Sequence, residues 1–124
     1  MDIINFENLI KSNFLKEKIE VLLKSEGSNE KKYLALVTLL EYINLKLLKE
    51  HLNVEMPDSN IVRIIAKYGK LDEKLYNLML GINDQYNEVN LNDVKDDDLE
   101  DLLYDIDFMY GYILEKYGNI LELP

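Results

Sequence analysis

His51 and Arg63 are the only histidine and the only arginine in the chain. A group titrating near neutrality beside a cation for the phosphate is what a ribonuclease needs. The two residues flank the segment around Pro57, and a fold that closes this segment brings them near one another. The plainer reading makes His51 an exposed residue near a helix C-terminus, where a cation is mildly favoured, and Arg63 an ordinary surface residue. A motif counts only with its structural context. No catalytic residue is therefore assigned, and a residual ribonuclease using Arg63 and His51 is the third choice.

Carboxylates are the second chemical resource. Between Asp84 and Asp107 lie ten acids and one base, Lys95, so most of the net charge of −10 sits in this window. Asp93, Asp96, Asp97, Asp98 and Glu100 have the look of a calcium loop. Such a loop needs a glycine at its sixth position and a glutamate at its twelfth, and neither falls in place. No metal ligand and no cofactor is expected. A row of carboxylates on a rigid helix can also imitate nucleic-acid phosphates, with Asp97, Asp98, Asp101 and Asp105, joined by Asp84 and Glu88, as the mimicking groups. An acidic inhibitor of a basic nucleic-acid-binding enzyme is thus the second choice. Direct binding of nucleic acid through this end is disfavoured, because such affinity comes from lysine and arginine.

Aromatic residues offer a third resource. Tyr104, Tyr110, Tyr112 and Tyr117 crowd the C-terminal part of the chain, and tyrosine suits interfaces because it joins an apolar ring to a polar tip. Tyr112 lies off the inward stripe beside Gly111, where a backbone can approach closely. Phe108, Gly111, Tyr112 and Glu115 make a candidate contact face for a protein partner or a second copy of the chain. Catalytic triads, phosphate-cradling glycine loops, HExxH and paired cysteines are absent.

These residues need elements to hold them. At 124 residues, with 48% apolar and 31% charged residues, the chain is read as one domain, residues 1–124, able to bury a core without cross-links. It has no cysteine, which fits a reducing compartment. It opens without a basic, cleavable apolar segment, so the expected location is the cytoplasm, with no membrane association. Heavy use of Asn, Lys, Ile and Tyr fits the AT-rich genome of a low-GC bacterium or its phage.

The segment Tyr33 to Leu48 is the post of the fold. Leu36, Leu40, Ile43 and Leu47 form one stripe at helical spacing, while Leu34, Val37, Leu45 and Leu48 lie outside it. Roughly 24 Å long at the α-helical rise, it is too short and too interrupted by Glu41, Asn44 and Lys46 to cross a bilayer. A first helix is predicted from Asn5 to Lys24, the post from Glu30 to Leu52, and a stop at Pro57. Asp58 or Ser59 caps a short third helix, Ile61 to Tyr68, with Gly69 as its end. A fourth begins at Leu71 or Asp72 and carries Leu71, Leu75, Leu78, Ile82 and Tyr86. Asn87 to Lys95 reads as a loop. Asp96, Asp97 and Asp98 open the last helix, where carboxylates meet the positive end of the macrodipole. Gly118 ends it, and a tail follows that packs through Ile120 and Leu121. No period-2 alternation occurs. The expected fold is all-α, an up-and-down bundle of four long helices plus one short one.

The order KKYLALVTLLEYINLKLLKEHL, PDSNIVRIIAKYG, LYNLMLGINDQYNEV and DDLEDLLYDIDFMYGYILEKY, from Lys31 to Tyr117, resembles the HEPN domains. These are small helical bundles of toxin–antitoxin, nucleotidyltransferase-associated and phage-defence systems. Catalytic members carry an arginine followed a few residues later by a histidine. The corresponding stretch here is Gly81 to Asn87: Asn83 fits the polar position, Ile82 stands where the arginine belongs, and no histidine follows. The resemblance therefore implies a non-enzymatic, HEPN-like interaction or regulatory module.

Overall fold

The computed structural model describes residues 2–52 and 61–122. Among them are five α-helices and no strand: α1 (Asn13–Lys24), α2 (Asn29–Leu52), α3 (Ile61–Leu71), α4 (Glu73–Glu88) and α5 (Asp96–Tyr117). Short 3-10 turns stand at Ile3–Asn5, Leu9–Lys11 and Ile120–Glu122. The expected stop at Pro57 and the caps Asp58 or Ser59 lie outside the described residues. No helix among the described residues is long and apolar enough to cross a membrane.

The post of the fold is where the periodicity puts it. Leu36, Leu40, Ile43, Leu47 and Leu48 are fully buried, and Val37 and Leu45 are half-buried. α2 packs on α5 and α3, and also touches α1 and the C-terminal turn. Leu34 and Tyr42 are exposed, so one side of the helix faces water. Inside the core, Asn44 is fully buried. Its amide nitrogen donates to Leu40 O at 2.7 Å, and the Tyr68 hydroxyl donates to its Oδ1 at 2.7 Å. A polar group so placed avoids the desolvation penalty only because its partners are present. The pair also fixes how α3 sits on α2.

Two boundaries differ from the predicted ones, each for an identifiable physical reason. The chain does not form one helix from Asn5; it makes two 3-10 turns, and α1 starts after Ser12, whose hydroxyl accepts from Leu15 N–H at 3.2 Å. The amides of Asn8 and Leu9, which such a helix would have used, donate instead to Asp107 Oδ1 at 2.8 and 2.9 Å. At the other end α1 stops at Lys24 as predicted, followed by Ser25 in extended geometry. α3 runs through Gly69 to Leu71 and ends at Asp72, whose N–H donates to Tyr68 O at 2.9 Å. Gly69 is an exposed helical residue, not a stop.

The later boundaries follow the expected chemistry. The three aspartates open α5, and Asp98 Oδ2 accepts from the Lys95 N–H at 2.9 Å. Gly118 closes α5 with φ of 86°, a backbone that favours glycine. Ile120 is buried beyond it, and Leu121 is half-buried.

Candidate functional site

Asp72 is the single residue between α3 and α4. Its extended backbone makes it the N-cap of α4, and Oδ1 accepts from the N–H groups of Lys74 at 2.9 Å and Leu75 at 3.1 Å. α5 passes over it and brings three more donors. The Tyr112 hydroxyl donates to Oδ2 at 2.8 Å, Lys116 Nζ at 2.8 Å and the Tyr117 hydroxyl at 2.7 Å. The Asp72 side chain is 2% exposed, so a buried carboxylate is saturated by two amides, two phenols and an ammonium. Positions 112 and 116, four apart, are neighbours on α5, and Tyr117 reaches the same carboxylate from the next position round the helix.

The titration behaviour follows from this geometry. Burial alone would raise the Asp72 pKa, but the bonds from Lys116, Tyr117, Leu75 N–H and Tyr112 hold it well below the ordinary carboxylate range. Burial and the bond to Asp72 push Tyr117 up to about 12. Tyr112 moves up for the same reasons, and Lys116 is raised by its bonds to Asp72 and Tyr112. Near neutral pH the carboxylate stays ionised, the ammonium charged and both phenols protonated. None of the four changes charge there, so the cluster works as a structural clasp between α4 and α5 and has no acid or base suited to proton transfer.

Outside the clasp is an open cleft of ≈ 570 Å³, lined by Asp72, Glu73, Lys74, Asn77, Leu78, Tyr112 and Lys116. The Lys74 ammonium lies 4.6 Å from the Tyr112 ring centroid and 5.9 Å from that of Phe108. Both distances are within cation–π range.

The residues singled out from the sequence fall in different settings. Phe108 is 58% exposed, and Glu115 is exposed. Tyr112 presents its ring to the cleft, but its hydroxyl is committed to Asp72. Gly111 does receive a close neighbour, and that neighbour belongs to the same chain. A Cβ there would stand 2.4 Å from Asn8 Nδ2, whose amide donates to Asp107 O at 3.2 Å and to Asp107 Oδ2 at 3.3 Å. Asp97 and Asp101 are exposed, whereas Asp98 is half-buried and engaged in the cap, and Asp105 is half-buried with its pKa raised by burial and by Asp101. The row available for imitating phosphates is thus shorter than the sequence row. Among the described residues, no group of three or more His, Asp and Glu side chains is placed to hold a metal ion.

His51 lies on the last turn of α2 with its ring 4.7 Å from that of Tyr117, and Arg63 lies exposed on α3. The clasp itself was missed by sequence reading. Its one available signal was an aspartate at a helix start together with two tyrosines and a lysine near the end of the last helix.

No protein-family model, no curated protein and no solved structure matches the chain.

Proposed function

We propose that the chain is a non-catalytic, HEPN-like helical module that acts by binding a protein partner through the outer face of α5. In this reading it works in the cytoplasm of a bacterium, in a toxin–antitoxin or phage–host conflict. The observation that carries the reading is the exposure of two large aromatic side chains, Tyr104 at 50% and Phe108 at 58%, one turn apart on that face. Interface cores are enriched in aromatic residues, and adjacent exposed rings are more telling than scattered ones. Two further observations support it. Ile82, which stands at the position where catalytic HEPN domains carry arginine, is buried in the core. The saturated clasp at Asp72 offers no group that titrates near neutrality.

The test is a comparison of the wild type with Tyr104→Ser/Phe108→Ser. Both are tagged, expressed in the source cell and recovered with their partners for mass spectrometry. A partner present with the wild type and missing with the variant, at unchanged helical content, is the expected result. A set of co-purifying proteins identical for the two chains rejects the α5 face.

A further inference from the structure

On the reading just given, that α5 presents the docking face, we propose that the partner element is a cationic amphipathic helix. It would place arginine or lysine against the carboxylates at the two ends of α5 and an apolar side chain against the rings between them.

The residues of that face fall in a pattern. At the α-helical turn angle, Asp97, Asp101, Tyr104, Phe108 and Glu115 lie within about 60° of one another, opposite the buried line of Leu99, Leu102, Leu103, Ile106, Met109, Tyr110 and Ile113. The stripe runs for roughly 27 Å, about five turns, so a partner helix of similar length can lie along it. Its order is acid, acid, aromatic, aromatic, acid. No lysine or arginine occurs on α5 before Lys116, so the helix does not neutralise its own outer face. Among the described residues, no hydrogen bond or ion pair engages the side-chain carboxylates of Asp97, Asp101 or Glu115.

The molecule already shows how one ring of this face, that of Phe108, and its neighbour Tyr112 receive a cation. Lys74 of α4 holds its ammonium over Tyr112 and Phe108 at 4.6 and 5.9 Å. Tyr104, one turn back, has Phe6 beside it at 4.9 Å between centroids and remains half exposed. Asp101 stands three residues before it on the same stripe, a spacing that makes helix side chains neighbours. A guanidinium set there meets a π-face and a carboxylate together, which favours arginine over lysine because the planar group can stack and pair at once. Complementary charge accelerates and orients encounter, and the apolar contact between the rings supplies the desolvated centre that holds the complex.

The experiment uses the full chain and a fluorescein-labelled helical peptide with leucines along one face and arginines flanking them. Two controls are a scrambled peptide of the same composition and a version with every arginine replaced by glutamate. Fluorescence anisotropy should show the patterned peptide binding about tenfold or more tightly than the scrambled one, with no binding of the glutamate version. Asp97→Asn/Asp101→Asn and Phe108→Ala should each weaken binding by about tenfold. Equal binding of patterned and scrambled peptides overturns the proposal, because it would report diffuse attraction to an acidic protein. Weakening by Phe108→Ala without any effect of Asp97→Asn/Asp101→Asn keeps α5 as the docking face and overturns the cationic partner. Binding indifferent to both variants overturns the proposal and counts against the face itself. Light scattering in the same buffer closes the remaining case: a dimer dispersed by Phe108→Ala would assign the face to a second copy and overturn the proposal.

Discussion

The Tyr117 hydroxyl donates to Asp72 Oδ2 across 2.7 Å, joining residues 45 apart in the chain and tying the last turn of α5 to the first turn of α4. Removing the carboxylate while its donors remain is the costly change. Asp72→Ala strips the cap and leaves Tyr112 and Tyr117 hydroxyls without their acceptor, and should lower stability by about 3–5 kcal/mol. Tyr117→Phe, which deletes one bond, should cost only about 1 kcal/mol. Urea unfolding of the three proteins side by side measures both, and equal losses would deny Asp72 its central place.

The same carboxylate gives the acid limb of stability a definite sign. Its folded pKa is depressed below the ordinary 3.8, so its contribution is fully present above that value and fades as pH falls below it. Wild type and Asp72→Asn should differ most near neutrality and converge in strongly acidic solution. A gap that stays constant from neutral pH to about pH 2 would contradict this.

At alkaline pH the tyrosines act in the opposite sense. Tyr33, through burial first and then Asp98, Tyr86, Asp105 and Asp101, and Tyr117 are both pushed up to about 12 from 10.0. Folding favours their protonated forms, so this contribution is complete below pH 10 and is lost as pH rises through about 12. Ultraviolet titration should show the exposed tyrosines ionising first and these two late, together with loss of helix. Among the described residues the buried Tyr33 hydroxyl has no hydrogen-bond partner, so Tyr33→Phe should hold or raise stability, by up to about 1 kcal/mol.

Gly111 offers a test by reversal of sign. In the wild type, Gly111→Ala drives its Cβ into the Asn8 amide and displaces the bonds to Asp107, a loss of about 1–2 kcal/mol. With Asn8→Ala already in place the obstacle is gone, and the same change should stabilise α5 by up to about 1 kcal/mol through helix propensity. Thermal melts of the four proteins give the cycle. A substitution at 111 that behaves alike in both backgrounds would deny the contact.

Phe108→Ser should leave the melting temperature nearly unchanged, because the side chain is mostly solvated. A large drop in stability would mean that the ring supports the fold, and its loss could not then be used to locate a partner.

How much of this was legible in the sequence depends on the range of the interaction. The long apolar helix, the acid-opened α5 and the glycine at its end are set by periodicity and caps, which act within one or two turns. The loop before Asp96 was visible for the same reason. The break between the turn at Leu9–Lys11 and α1 was not, because Asp107 captures the Asn8 and Leu9 amides from 99 and 98 positions away. Nor was the extension of α3 past Gly69, since a glycine with open space around it is compatible with a helix that tertiary contacts carry onward. A small residue at 111 signals room for a neighbour, but that the neighbour is Asn8 is a tertiary fact. Asp72 could be seen as a cap; its three partners on α5 could not.

A carboxylate that starts one helix while gripping another makes their ends open together. Amide exchange at Lys74 and Leu75, whose N–H groups rest on Asp72, should therefore be slow and should quicken in Tyr117→Phe, although that substitution lies on a different helix. Fraying of the C-terminal turn of α5 is in this way transmitted to the beginning of α4, and the protein's local opening has a larger unit than either helix alone.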